Sequence, residues 1–295
     1  MPESAQEDVF RVPERAITAF ERLHAMRVTV HDLQGSLWAV LPPERFRHTH
    51  PLCLAVKAHD RDRGCMDFEH RQLRRDLPAC PAGRVHVCHA GFVEWVASVF
   101  QGEALAWVLF AGLRKPGADL VTLARDSGPP LKGRPWPARA PQPAPVGEEE
   151  AALILEALRQ LAARLRVWAQ EQAAHGVRST HDVARADPLA SRRALIQRFV
   201  HDRHTHPVCL ADLAKRMSLS ESRAGHAIKE ACGASFIELM AEARVRTAAG
   251  LLRNTGLPVL EIAARSGFGD ASNFHRAFRA RMGVSPHRYR RQVTS

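Results

Sequence analysis

Several common sequence features are missing from this chain. No run of about 18 or more apolar residues occurs, so we expect no membrane-spanning helix. Met1–Asp8 is acidic and has no apolar centre, which predicts a cytoplasmic protein without a secretory signal. Walker, Gly-x-Ser-x-Gly and His-Glu-x-x-His motifs are also missing. Because these absences leave only N-terminal Cys and His residues for catalysis, we do not expect an enzyme.

The six cysteines do not form any Cys-x-x-Cys pair. The first four have intervals of 12, 15 and 8 residues, unlike the paired ligands of common zinc sites. They are Cys53, Cys65, Cys80 and Cys88. In a reducing compartment we expect thiols or metal ligands rather than disulfides. Buried structural thiols, a metal site and a thiol redox switch all remain open for these four. Cys209 and Cys232 are expected in a helical core.

Positive charge is concentrated at the C-terminal end of the chain. The whole sequence has 42 Lys+Arg and 31 Asp+Glu, a net charge of +11. Residues 187–295 hold 18 Lys+Arg and 9 Asp+Glu, an excess of nine, which leaves an excess of two for residues 1–186. This asymmetry favours a polyanionic partner near the C-terminus, and by itself it would fit DNA, RNA or an anionic lipid surface.

The same short pattern occurs twice in the last hundred residues. Each copy predicts a short helix, a tight turn and a second helix ended by glycine, which is typical of helix-turn-helix motifs. The copies are Leu210–Gly233 and Val259–Gly283. Ser220 and Asp270 are placed to cap the second helices, and Gly267 could supply a positive φ at its turn. The repeat makes duplex DNA the preferred partner.

The second helix of each copy has an apolar face and a polar face. Apolar spacing predicts that Ala224 and Ile228 in one copy, and Phe274 and Phe278 in the other, are buried. Hydrogen-bonding and cationic side chains then point outward, as needed for base edges and phosphates in a major groove. These candidate DNA-binding residues are Ser222, Arg223, His226, Lys229, Ser272, Asn273, His275, Arg276 and Arg279. A simple solvated face remains the alternative.

Residues 190–292 resemble the AraC/XylS family of bacterial transcription regulators. The segments that carry the resemblance are Phe236–Met240, Arg244–Leu252, Ile262–Phe268, Asn273–Phe278 and Gly283–Arg290. The resemblance implies seven helices, two subdomains and a linker helix that holds two recognition helices in adjacent major grooves. It also implies contact with RNA polymerase. The positions that would face DNA are Ser222, Gly225, His226, Ala271, Ser272, His275 and Arg276. Gly225 and Ala271 are smaller than usual there, so fewer base contacts are expected.

A proline-rich segment and a long helix precede this region. Ser127–Gly147 is expected to be an extended linker, and Glu148–Glu150 favours a helix start. Apolar residues of this helix alternate in spacings of four and three: Ile154, Leu158, Leu161, Leu165 and Trp168. That seam predicts either a two-stranded coil, and hence a homodimer, or a helix packed on its own domain. The polar stretch His175–Asp187 is expected to be a hinge.

The first part of the chain mixes helix and strand patterns. Ala16–Met26 has helical spacing, and Arg27–His31 with Ser36–Leu41 predicts a β-hairpin. Further strands are predicted at 84–89, 92–100 and 104–112, with a tight turn at Gln101–Glu103. We therefore expect an α+β fold in which helices flank an antiparallel sheet that encloses a small ligand.

This N-terminal part resembles the PocR-type sensory domain, a PAS-like module found before AraC-type DNA-binding domains. The resemblance rests on His50–Cys53, Asp62–Cys65, Asp67, Val87–Glu94 and Leu109–Gly112. It implies a small organic effector, such as a small alcohol or diol, although Trp95–Ser98 departs from the usual strand start. The candidate ligand-binding residues are Cys53, Cys65, Cys88, His89, Glu94 and Trp107. The alternative is a thiolate-rich metal site with Cys53, Cys65, Cys80 and Cys88 as ligands, to which nearby histidines could contribute: His48, His50, His59, His70, His86 and His89.

These observations predict a cytoplasmic transcription regulator that binds double-stranded DNA under control of a small effector. The expected domains are a sensory domain at 1–126, a linker at 127–147, a dimerisation or hinge helix at 148–186 and a DNA-binding domain at 187–295. One alternative is a redox or metal sensor that uses the N-terminal cysteines. Another is a DNA-repair methyl acceptor joined to an AraC-type domain, which the lack of close cysteine pairs disfavours.

Overall fold

The computed structural model describes residues 11–38, 40–48, 50, 52–53, 65, 69, 73–88, 91–120, 143–174 and 188–294. The described residues divide into two compact units, an N-terminal unit up to residue 174 and a C-terminal unit from residue 188. The predicted hinge at 175–187, and residues 127–142 of the predicted linker, lie outside the described residues. No described helix is both long and apolar enough to cross a membrane.

The N-terminal unit contains an antiparallel sheet. Its strands are β1 (Arg27–Asp32), β2 (Arg84–Val87), β3 (Val93–Gln101) and β4 (Ala104–Pro116), in the order β1-β4-β3-β2. A short β5 (Pro145–Val146) adds to the end of β4 in parallel. Strands β2, β3 and β4 were predicted close to these bounds and are confirmed. The predicted tight turn is confirmed as well, because Gln101 pairs with Ala104 and Gly102 has a φ of +60°.

The sequence prediction was wrong for the partner of β1. The described residues of Ser36–Leu41 form turns rather than a strand, and β1 pairs with β4 instead. The carboxylate of Asp32 accepts hydrogen bonds from the N–H groups of Gly35 (2.7 Å) and Leu37 (2.6 Å). Because these bonds close the backbone into a turn, Leu37 and Trp38 become buried without pairing along β1.

Helices lie on both faces of the sheet. On one face are α1 (Val12–His24) and the long α3 (Glu148–Ala174), and on the other a one-turn α2 (Leu73–Asp76) packs through Leu73 against Val96, Val108 and Phe110. Helix α3 begins at the predicted Glu148, and it packs on β3. The indole N–H of Trp95, on β3, donates a hydrogen bond of 2.8 Å to the carbonyl of Ala151, on α3. The long helix is therefore part of the N-terminal unit.

The apolar seam of α3 is buried inside its own unit. Ile154, Leu158, Leu161, Leu165 and Trp168 are each at most 7% exposed. Since these side chains pack against the sheet and α1, they are not available as the seam of a two-stranded coil. The coil interpretation is therefore corrected to a helix packed on its own domain. The end of the expected linker is also structured, because Pro145 and Val146 pair with β4.

Seven helices make up residues 188–294 of the C-terminal unit, as the family resemblance implied. They are α4 (Pro188–Arg203), α5 (Leu210–Arg216), α6 (Glu221–Cys232), α7 (Phe236–Asn254), α8 (Val259–Arg265), α9 (Ala271–Met282) and α10 (Pro286–Thr294). Both pairs, α5–α6 and α8–α9, fall where the repeat predicted short helix, turn and second helix.

The local signals in the repeat act as expected. Ser220 accepts a hydrogen bond from the Arg223 N–H at the start of α6, and Asp270 accepts one from the Asn273 N–H, at 2.6 Å, at the start of α9. Gly233 and Gly283 end these helices with φ values of +71° and +73°. Because caps and C-terminal glycines are read from adjacent residues, sequence alone places these ends well.

Candidate functional site

The candidate DNA-binding residues lie on α6 and α9, the second helices of the two pairs. Eight of the nine are exposed, and His275 is half-buried. The opposite faces are buried, with Ala224 and Ile228 on α6 and Phe274 and Phe278 on α9. Packing of the apolar faces therefore turns the polar faces of both helices toward solvent, as predicted.

Four cations on these faces form no salt bridge within the described residues: Arg223, Lys229, Arg276 and Arg279. Lys229 has a longer-range charge interaction with Glu238. Other arginines of the same unit are paired: Arg246 with Glu242 at 3.4 Å and Arg265 with Glu261 at 2.8 Å. Because an unpaired surface cation can neutralise a phosphate without first breaking an ion pair, these faces suit a polyanion.

The two histidines are held in fixed positions. The Nδ1 of His226 lies 2.8 Å from the carbonyl oxygen of Ser222, one turn earlier on α6. The His275 ring lies against Phe274, with centroids 5.5 Å apart, and stacks with His287 of α10 at 6.2 Å. His287 was not among the predicted site residues, although its Gly-Val-Ser-Pro-His motif was recognised. It supports His275 from the following helix.

A buried polar group joins the long helix α7 to the second helix pair. His204 is 1% exposed, and its Nε2 lies 2.8 Å from Thr247 Oγ1 on α7. Arg244, also on α7, donates from Nε to the His204 carbonyl at 2.7 Å. Gly267, in the α8–α9 turn, packs against that same carbonyl, which a Cβ there would approach to 2.4 Å. The turn of the second pair is thus fixed to α7.

The predicted ligand-binding residues of the N-terminal unit do not form one site. Glu94 and Cys53 line a small cavity, together with His48, His50 and Phe110. Trp107 lies on the opposite sheet face from Glu94, because it is five residues from Gly112, the β4 partner of Glu94. Its indole N–H donates to Ser36 Oγ at 2.8 Å. This part of the prediction is corrected, and His89 lies outside the described residues.

The cysteines are not gathered into a metal site among the described residues. Cys80 is exposed, whereas Cys53, Cys65 and Cys88 are half-buried. Among the described residues, the three-residue group suited to a metal is formed by His31, His48 and Glu69 instead. Cys209 is exposed at the start of α5, where its backbone N–H donates to Asp212 at 2.8 Å, so its expected core position was wrong.

A buried chain of histidines and carboxylates crosses the sheet face opposite α1 and α3. His31 Nε2 lies 3.6 Å from Glu69, and His48 Nε2 lies 3.4 Å from the other oxygen of Glu69. His48 Nδ1 lies 3.7 Å from Glu94, which in turn lies 3.3 Å from His86 Nε2. The side chains are between 2% and 11% exposed. We call these five residues the His–Glu chain.

Sequence analysis listed His48 and His86 among histidines that could join a cysteine metal site, but it did not identify the His–Glu chain. Its members are far apart in the sequence, and a weak signal is present only in the strands. His31 on β1, His86 on β2 and Glu94 on β3 are polar residues within apolar strands, and alternation places them on one sheet face. Buried polar residues in such strands indicate a purpose other than packing.

The cavity beside the His–Glu chain is small. Its volume is about 10 Å³, and its lining includes His48, Cys53 and Glu94. A volume of roughly 10–15 Å³ holds one water-sized species. In this conformation the cavity therefore has room for a water or an ion, far below the roughly 300 Å³ or more of typical organic-ligand pockets.

Comparison with known proteins finds similarity over part of the chain. Residues 213–292 match the model of a helix-turn-helix domain family. Transcriptional activator NphR of Rhodococcus sp. is 31% identical over 114 residues, 39% of this chain and 33% of that protein. The arabinose operon regulatory protein of Escherichia coli K12 is 31% identical over 81 residues, 28% of each chain. The chain thus matches about a third of the length of these curated relatives.

Among solved structures, the C-terminal domain of AraT, a response regulator from Geobacillus stearothermophilus, is similar at 34% identity with a TM-score of 0.33. The similarity covers 36% of this chain and 86% of that domain. The family match covers the helices that carry the two exposed polar faces. Residues 213–292 are therefore similar to a helix-turn-helix domain, and the chain is similar to transcription regulators over part of its length.

Proposed function

We propose that this protein is a transcription regulator that binds duplex DNA sequence-specifically through α6 and α9. The observation that carries the proposal is the pair of equivalent exposed faces, each with cations outside any salt bridge and hydrogen-bonding side chains, within residues that match a helix-turn-helix domain. Base-edge contacts fit Ser222, His226, His275 and Arg276, and phosphate contacts fit the remaining cations.

The length of α7 supports simultaneous binding by both helices. Its 19 residues correspond to about 28 Å at roughly 1.5 Å per residue. Successive major grooves on one side of B-DNA are about 34 Å apart, a distance of the same order. The contacts of His204 with Thr247 and Arg244 hold α7 against the rest of the unit, so that little ordering is needed on binding.

The N-terminal unit is proposed to bind the effector that controls DNA binding. Support comes from the buried His–Glu chain and the cavity beside it. Burying polar side chains costs free energy, which suggests that these residues serve binding rather than packing. The effector would act by a population shift between states of different DNA affinity. A homodimer, as in the original prediction, would have to use surfaces other than the buried seam of α3. Contact with RNA polymerase stays a proposal by family resemblance.

The test is selection of bound duplexes from a random DNA library by the full-length protein, followed by titration of the enriched sequence. We expect Arg276→Ala and His226→Ala each to weaken specific binding by about 1–3 kcal/mol, roughly five- to 150-fold in Kd. Arg164→Ala is the matched control, because Arg164 is an exposed cation on α3, outside the proposed interface. If no sequence is enriched, or if both recognition-helix variants bind like wild type, the proposal is wrong.

A further inference from the structure

The His–Glu chain has the composition and spacing of a metal site. We propose that His31, His48 and Glu69 bind a divalent transition-metal ion, zinc being the ion best suited to two imidazoles and a carboxylate. Building on the regulatory function proposed above, we further infer that this ion is a ligand to which the regulator responds. This assignment replaces the cysteines as the metal ligands considered from sequence.

The distances fit coordination by three side chains. One donor atom from each residue can be chosen so that all three lie within 4.8 Å of one another. Tetrahedral ligands at about 2.0–2.1 Å from zinc are roughly 3.4 Å apart. The nitrogens of His31 and His48 lie 3.6 and 3.4 Å from the two oxygens of Glu69, so only small side-chain rotations are needed to surround an ion.

The remaining residues of the His–Glu chain fit an outer layer of contacts. His48 directs Nε2 toward Glu69, whereas its Nδ1 faces Glu94 at 3.7 Å. A carboxylate behind a metal-binding histidine orients the ring and increases its basicity. His86 lies on the far side of Glu94 at 3.3 Å. Glu94 is therefore a positioning residue, and a ligand role is not required of it.

Charge balance points in the same direction. Glu69 and Glu94 are both 8% exposed as side chains, so a divalent cation held by His31, His48 and Glu69 would interact favourably with two buried carboxylates.

The experiment measures metal binding by the full-length protein without DNA. Metal-free protein is titrated with Zn²⁺ against a chromogenic chelator, and with Co²⁺ while the visible absorption is recorded. Wild type is expected to bind one equivalent. His48→Gln and Glu69→Gln should bind at least tenfold more weakly, and Glu94→Gln about 10–100-fold more weakly. His24→Gln, a half-buried histidine of the same unit outside the chain, is the matched control.

Wild type alone can decide the question if the variants do not fold. Nitrogen and oxygen ligands give Co²⁺ a spectrum without the strong near-ultraviolet bands of thiolate coordination. The proposed site would be overturned by any of three results: no stoichiometric metal binding, the presence of thiolate bands, or loss of the metal in Cys53→Ser but not in His48→Gln.

The regulatory inference is tested by comparing operator affinity with and without Zn²⁺. A metal-dependent change in wild type that His48→Gln lacks supports the regulatory inference, and an unchanged wild-type affinity refutes it. DNA binding by metal-free protein tests the proposed function separately.

Discussion

The close contact of Gly267 with the His204 backbone leads to a prediction that can be worked out from the structure. Gly267 has a φ of +87°, and an added Cβ would lie 2.4 Å from the His204 carbonyl oxygen and 2.8 Å from the Thr205 Cα. Both neighbours are backbone atoms, which cannot rotate away. Gly267→Ala should therefore combine a left-handed backbone cost of about 1–2 kcal/mol with an overpacking cost of about 1–3 kcal/mol.

Two other glycines separate these contributions. Gly283 has a φ of +73° but open space around a Cβ, so Gly283→Ala should cost only about 1–2 kcal/mol. Gly269 has open space around a Cβ and its φ is outside the left-handed region, so Gly269→Ala should leave the free energy of unfolding nearly unchanged. Gly267→Ala should cost about 2–5 kcal/mol and lower the Tm of a unit of this size by about 8–20 °C.

The two units can be followed by different signals. Four of the five tryptophans, Trp38, Trp95, Trp107 and Trp168, lie in the described part of the N-terminal unit, so most of the tryptophan fluorescence reports on that unit. Far-ultraviolet circular dichroism is dominated by the helices, most of which lie in the C-terminal unit. Gly267→Ala should shift the dichroism transition and leave the fluorescence transition unchanged. A cost for Gly267→Ala no larger than that for Gly283→Ala would refute the packing argument.

Three further predictions concern the helices and the pH dependence of stability. Leu158, on α3, is fully buried, so Leu158→Ala should destabilise the N-terminal unit by about 2–5 kcal/mol in urea unfolding without changing the mass measured by light scattering. A change of oligomeric state would restore the coil interpretation. Ala248→Pro, in the interior of α7, should cost about 3 kcal/mol or more and abolish operator binding, and retention of both stability and binding would contradict the role of α7 as a rigid linker. Burial first, and Arg114 second, lower the pKa of His24 below 6.5, against a smaller opposing effect of Glu150. The folded state then binds fewer protons than the unfolded state, so stability should fall as pH decreases from 6.5 toward the lowered pKa, and His24→Gln should flatten this part of the unfolding profile.

The sequence by itself determined the C-terminal helices and their exposed faces. The signals are local: Ser220 and Asp270 accept hydrogen bonds from N–H groups three residues later, and the glycines after α6 and α9 adopt the left-handed backbone that other residues avoid. Apolar residues spaced by three and four positions define the buried face whatever lies opposite. These contacts span a few residues, so adjacent sequence is sufficient to predict them.

Tertiary structure decided what the N-terminal patterns pack against. The seam containing Leu158 and Leu165 predicts a buried face, but its partner is the sheet rather than a second helix, and periodicity is the same in both cases. The pattern of Ser36–Leu41 predicted a strand, whereas hydrogen bonds from the Gly35 and Leu37 N–H groups to the Asp32 carboxylate form a turn there. His31, Glu69 and Glu94 have no diagnostic spacing in the sequence, because only the folded chain brings these distant positions together. Their proximity is a property of the folded chain and of no segment within it.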